Sequence, residues 1–194
     1  MIGTADTDVR YTVERYFELV KEGVIAENDH VELLEGIIVA EPPQDPPHAT
    51  DTTLVVDALR RAVGARALIR VQMPLVVGRY SVPEPDVAVV PGTVLDYAQA
   101  HPDTALLVVE VAASSLPKDR LSKSRIYAAA GIPEYWLVNL RDGCVEVFRM
   151  PDGSARQYAD RLVVRRGDRL SIVALPDASV AVDDLLLPDL PNSQ

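Results

Sequence analysis

VPEPDVAVV (residues 82–90), ALLVVEVAASS (105–115) and PKDRLSKSRIYAAAG (117–131) decide how this chain is read. Asp86 opens an apolar run from Val87 to Val90, and Glu110 interrupts a longer one from Ala105 to Ala113. Both runs have the length and β-branched content of buried strands. A carboxylate in such a strand is costly unless a proton, hydrogen bonds, a cation or a metal compensates it. Two of them on consecutive strands make a candidate site.

Downstream, Ser114, Ser115 and Pro117 mark the start of a helix that continues to Ala130 and stops at Gly131 and Pro133. EYWLVNL follows as an apolar strand, and strand, helix, strand at this spacing predicts a crossover with parallel strands. From Asp142 onward CVEVFRM, the turn PDG, ARQYADR and RLSIVAL predict a β-rich meander.

Upstream, ALIRVQMPLVV is a strand pattern with Pro74 inside it, which predicts a bend or an edge position. Before it, Thr50 or Asp51 is positioned to cap an amphipathic helix that ends at Gly64. The proline-rich EPPQDPPH reads as a loop. VELLEGIIVAE reads as two strands turning at Glu35-Gly36, and Thr12 caps a first helix to about Glu22, with Tyr16, Leu19 and Val20 on its apolar face. The economical architecture is one α/β domain over residues 1–194 with a β-rich C-terminal part.

Bulk properties narrow the function. With 194 residues, 48% of them hydrophobic, the chain can bury a core without metals or disulfides. The single cysteine, Cys144, excludes an internal disulfide, reads as a strand filler, and suits a reducing cytoplasm. The N-terminal MIGTADTDVR lacks a signal-peptide pattern, and no apolar run approaches the roughly 20 residues that span a bilayer. A net charge of −10 disfavours loose adhesion to nucleic acid, so any such contact must be local. Of the 19 basic residues only Lys21, Lys118 and Lys123 are lysines, and two of those lie in the helix after Glu110. P-loop, dinucleotide-binding, HExxH and GxSxG patterns are absent, and His30, His48 and His101 are scattered.

What remains is Asp86, Glu110 and Lys123, on strand, strand and following helix. Mg²⁺ takes one or two carboxylates together with water and phosphate oxygens. Without a cation, two carboxylates about 4 Å apart repel by roughly 4 kcal/mol at an effective dielectric of 20. Lys123 shares a helix face with Asp119 and Tyr127, so an ordinary surface pair with Asp119 is its plain alternative.

VELLEG, the loop with His48, PEPDVAVV, LVVEVAASS, DRLSKSRIYAAAGIPEYWLV and VEVFR together resemble the PD-(D/E)XK, restriction-endonuclease-like superfamily, and within it the bacterial Uma family, over Tyr11 to Leu187. The resemblance implies a mixed central sheet flanked by helices. It implies Asp86 and Glu110 as Mg²⁺ ligands, with the backbone carbonyl of Val111 as a further one and Mn²⁺ as a substitute ion. The superfamily lysine two residues beyond the acid is Ala112 here, and a lysine on the next helix takes over, which points to Lys123.

Glu32 matches an acidic position that would hold a second metal or a metal-bound water; the plain alternative is a hairpin charge facing solvent. His48 matches a histidine that would contact phosphate or order water, against a simple helix-entry polar residue. Gln72 reads better as an ordinary strand residue. Tyr127, Tyr135 and Trp136 read as packing aromatics, Tyr127 also as a hydrogen-bond partner of the site. The implied function is metal-dependent endonucleolytic hydrolysis of DNA, by a homodimer if both strands are cut. The alternative, favoured by the acidic charge and Ala112, is a nuclease fold that no longer cleaves and serves in nucleic-acid or protein binding.

Overall fold

A computed structural model describes residues 10–188 apart from residues 27 and 114. Residues 1–9, which carry most of the N-terminal stretch read above, and the helix-start residue Ser114 lie outside the described residues.

Helix α1 (Val13–Lys21) begins where Thr12 accepts a hydrogen bond from the Arg15 amide at 3.2 Å. Its buried face is Val13, Tyr16 and Leu19; the expected Val20 lies outside it, exposed, because the face follows i, i+3 spacing from Val13. β1 (Val31–Leu34) and β2 (Ile37–Ala40) form the expected hairpin, turning through Glu35 at φ 52° and Gly36 at φ 87°. Two successive left-handed residues are what a tight two-residue hairpin requires.

α2 (Pro46–Val63) starts four residues before the expected Thr50. Asp45 is the actual cap, accepting from the His48 amide at 3.0 Å. Pro46 and Pro47 occupy the first turn, where the missing N–H is harmless and the fixed φ is helical. The second half of the proline-rich segment is therefore helix, and His48 sits in its first turn.

β3 (Leu68–Val71), β4 (Val87–Val90), β5 (Leu107–Ala112), β6 (Glu134–Asn139), β7 (Cys144–Asp152) and β8 (Gln157–Arg165) form one six-stranded sheet in that spatial order. Only β5 and β6 run parallel, joined by the crossover helix as expected. β3 is an edge strand and stops three residues before Pro74. The sheet is thus mixed. The crossover helix α3 spans 116–129 as Leu116–Lys118, a π turn Asp119–Lys123, and Ser124–Ala129. β9 (Arg169–Ile172) and β10 (Leu175–Ala181) make a separate hairpin.

Strand alternation sends side chains to two cores. Val87, Val89, Val109, Val111, Trp136 and Val138 pack with α2 and the β9–β10 hairpin. Ala88, Val90, Val108, Ala112, Tyr135 and Leu137 pack with Ile126 and Tyr127 of α3 and with Leu34 of β1. Glu110 shares its parity with Val108 and Ala112 and therefore faces α3. Cys144 is buried in β7, as a filler should be. Among the described residues no helix is long and apolar enough to cross a membrane.

Candidate active site

The sheet register aligns the site. Val71 faces Val87 and Val87 faces Val109, so one step further Gln72, Asp86 and Glu110 fall in one cross-strand row. The row continues from Glu110 to Leu137 and from Leu137 to Glu146. Asp86 and Glu110 are 7% and 3% exposed, beyond the means of unpaired carboxylates.

Each has specific partners. Asp86 Oδ2 accepts the Val111 amide at 2.8 Å. Its Oδ1 accepts Gln44 Nε2 at 3.0 Å and Gln72 Nε2 at 3.3 Å, and lies 3.2 Å from His48 Nε2. Glu110 Oε1 meets the Tyr127 hydroxyl at 2.7 Å and Lys123 Nζ at 3.0 Å, while the Asp86 amide approaches Oε2 at 3.5 Å. Lys123 Nζ also lies 3.2 Å from Glu32 Oε1, which accepts the Glu84 amide at 2.7 Å. Glu32 is 1% exposed, so the solvent-facing hairpin reading of it fails. The structure brings Asp86, Glu110, Lys123, Glu32, His48 and Val111 to one cleft of about 750 Å³.

The cleft is short of positive charge. Burial holds Glu110 well above the usual carboxylate range; Lys123 opposes the shift and the negative charge of Asp86 adds to it. Burial also pushes Glu32 up to about 7, against the pull of Lys123. Asp119, 4% exposed on the same cleft, is raised by burial as well. Burial works against the charge on Lys123, but the carboxylates around it win and hold it firmly charged. His48 is raised by its hydrogen bond to Asp86.

One lysine among four buried carboxyl groups leaves room for a further cation or a proton. Glu32 Oε2 is buried without a hydrogen-bond partner among the described residues, with Lys118 Nζ 3.7 Å away. No group of three or more His, Cys, Asp or Glu side chains among the described residues forms a ready-made metal cage. Two carboxylates completed by water and phosphate oxygens are nonetheless the usual hold on Mg²⁺. Asp86 and Glu110 supply them. The Val111 carbonyl points to the same edge as its amide, which faces Asp86.

The sequence reading missed Gln44, and it set Gln72 aside as an ordinary strand residue. Gln72 directly follows β3 at φ 49°, its amide donating to the Pro85 carbonyl at 3.1 Å and its side chain to Asp86. A non-glycine residue in the left-handed region at a site is a local signal, but one that only the backbone reveals. Gln44 lies in an aperiodic segment and gave no signal. Asp119 was visible as the residue one turn before Lys123.

The Uma2 family model, described as "Putative restriction endonuclease", matches residues 13–183. The chain belongs to the Uma2 family. A solved structure titled as a "putative nuclease belonging to DUF820", from Anabaena variabilis ATCC 29413, is similar to this Uma2 chain with a TM-score of 0.70 at 14% identity, over 90% of this chain and 96% of that one. At that identity the likeness shows a shared fold. No curated protein matches the chain.

Proposed function

We propose that this Uma2 protein is a Mg²⁺-dependent endonuclease that hydrolyses DNA phosphodiester bonds in the cytoplasm, with Mn²⁺ able to substitute. The observation that carries this reading is the row in which Asp86 and Glu110 stand side by side, with Lys123 Nζ 3.0 Å from Glu110 Oε1. Asp86, Glu110 and the Val111 carbonyl would hold the ion. Mg²⁺ bound there would offset phosphate charge and ease ionisation of the attacking water.

The chain's own groups do the rest. Gln44, Gln72, His48 and the Val111 amide fix the Asp86 carboxylate in one orientation. Lys123 keeps a positive charge beside Glu110, where charge accumulates on the phosphoryl group in the transition state. Glu32 holds Lys123 from the other side. His48, at the start of α2 on the cleft, donates to a phosphate oxygen when protonated. Cutting both strands calls for two such sites, as a homodimer provides.

Ala112 at the superfamily lysine position, together with the engagement of Lys123 by two carboxylates, favours a second reading: a nuclease fold that binds nucleic acid or protein without cleaving. Plasmid and oligonucleotide DNA incubated with the protein in Mg²⁺ or Mn²⁺, beside Asp86→Ala and Glu110→Ala, separates the two. Metal-dependent cleavage lost in both variants is expected. Cleavage that survives both substitutions, or its absence from the folded protein under every condition, overturns the nuclease reading.

A further inference from the structure

In the π turn Asp119–Lys123 of α3 the Ser124 amide bonds back five residues to the Asp119 carbonyl. Such turns are rare and recur at functional sites. Two contacts hold this one. Ser124 Oγ donates to the Arg120 carbonyl at 2.6 Å, the acceptor that the Ser124 amide would use in an ordinary α-helix. Arg120 Nε donates to Glu146 Oε2 at 3.0 Å, and its second nitrogen pairs with Oε1.

Glu146 is itself fixed. It is 2% exposed and accepts Asn139 Nδ2 at 3.0 Å and Arg161 at 2.6 Å. It stands in the same cross-strand row as Glu110, with Leu137 between them, which at the usual strand spacing is about 10 Å away. Arg120 and Lys123 therefore enter one row at two places, the first on a carboxylate remote from the cleft and the second on Glu110.

We propose that Ser124, Arg120 and Glu146 clamp the π turn and so set the reach of Lys123 to Glu110 and Glu32. They are positioning residues for Lys123, the lysine that serves in a chain whose strand position is Ala112. The functional meaning rests on the nuclease reading, whereas the placement of Lys123 is measurable without DNA.

The chain has three lysines, Lys21, Lys118 and Lys123, so amine acetylation followed site by site by mass spectrometry reads Lys123 directly, with exposed Lys21 as internal reference. Wild-type Lys123 should react about tenfold or more slowly than Lys21, because acetylation there requires local opening. Ser124→Ala and Glu146→Gln should speed Lys123 by about fivefold or more relative to Lys21, and Ser124→Thr, which keeps the hydroxyl, should restore the slow rate. Glu134→Gln is the control for general destabilisation, since Glu134 is also buried and arginine-paired but contacts Arg149, Trp136 and Val173 rather than α3.

The clamp is overturned if Lys123 stays slow in both Ser124→Ala and Glu146→Gln, or if Glu134→Gln exposes it equally. Ser124→Ala keeps the test decisive should Glu146→Gln fail to fold. Where DNA is cleaved, kcat should fall in the clamp variants with KM held. A clamp that passes the acetylation test in a protein that cuts no DNA overturns the nuclease reading alone.

Discussion

Lys123 Nζ stands 3.0 Å from Glu110 Oε1, with both side chains almost wholly buried. Breaking a buried pair by deleting one partner typically costs about 3–5 kcal/mol, because the other charge is stranded. Lys123→Met should therefore destabilise the protein by about that amount at pH 8. The loss should shrink at pH 5. Glu110 and Glu32 already have raised folded pKa values, and without Lys123 these rise further, so both can take a proton at pH 5 while remaining buried. Urea unfolding at the two pH values is the check, and equal losses would show that Lys123 does not compensate these carboxyls.

Glu32 gives wild type its own pH dependence. Its folded pKa of about 7 lies above the ordinary 4.5 because of burial. Neighbouring Glu41 is lowered to about 2: burial opposes this, but its side-chain interaction with Glu32 and its hydrogen bond and ion pair with Lys118 outweigh it. A group whose folded pKa is raised contributes stability in full below its unfolded value and loses it as pH rises through the folded value. Melting temperature should fall as pH rises from about 4.5 to about 7, between the unfolded and folded values, by a contribution of at most about 1.4 kcal/mol per pH unit. Glu32→Gln, the neutral isostere, should flatten that slope.

Added Mg²⁺ should raise the melting temperature of wild type. At 100-fold excess over its dissociation constant the stabilisation is about 2.7 kcal/mol. The effect should be larger at pH 8 than at pH 6, since a Glu110 raised by burial must lose its proton to act as ligand. Asp86→Ala and Glu110→Ala should abolish it. A shift of equal size in those variants would place the ion elsewhere.

Sequence pattern reached the central strands because buried β-branched runs carry their own signal, and it reached the parallel β5–β6 pair because a helix between two strands demands a crossover. It placed Asp86, Glu110 and Lys123 in one cleft because each sits on an element with a readable face. It failed at Pro46, where helix propensity hid a proline-tolerant first turn capped by Asp45. The Gln72 contact was out of reach for another reason: it depends on a left-handed φ and on a three-strand register that no local window contains. The π turn in α3 was equally invisible, because the 116, 119, 123, 126 spacing of buried residues suits an ordinary helix just as well.

Glu134 should prove the strongest single tie between the sheet and the β9–β10 hairpin. Fully buried, it accepts Arg149 Nε at 2.8 Å, Trp136 Nε1 at 2.9 Å and the Val173 amide at 2.8 Å. Glu134→Ala takes the carboxylate from Arg149, which keeps only its bond to the Ser171 carbonyl, and the acceptor from two further donors, with an expected loss of about 3–5 kcal/mol. The fluorescence of Trp136, the chain's one tryptophan, should lengthen in wavelength as its indole loses its partner and gains water. An unchanged urea midpoint would show that the hairpin holds without this carboxylate.

Tyr127→Phe separates packing from chemistry at the site itself. The ring lies 5.2 Å from that of Tyr135 and is fully buried, and phenylalanine keeps that packing. The hydroxyl donates to Glu110 Oε1 at 2.7 Å, and burial, reinforced by the negative charge of Glu110, keeps it protonated well above the usual phenol range. A hydrogen bond to a charged group is worth about 1.5–3 kcal/mol, and this one favours ionised Glu110. Removing it should cost stability of that order at pH 8 and raise the Glu110 pKa further. If cleavage requires ionised Glu110, the acid limb of the pH–rate profile should move to higher pH in Tyr127→Phe, with the alkaline limb unchanged. Lost stability with an unmoved profile would confine the Tyr127 hydroxyl to a structural hydrogen bond, and would leave Lys123 as the partner that governs the charge on Glu110.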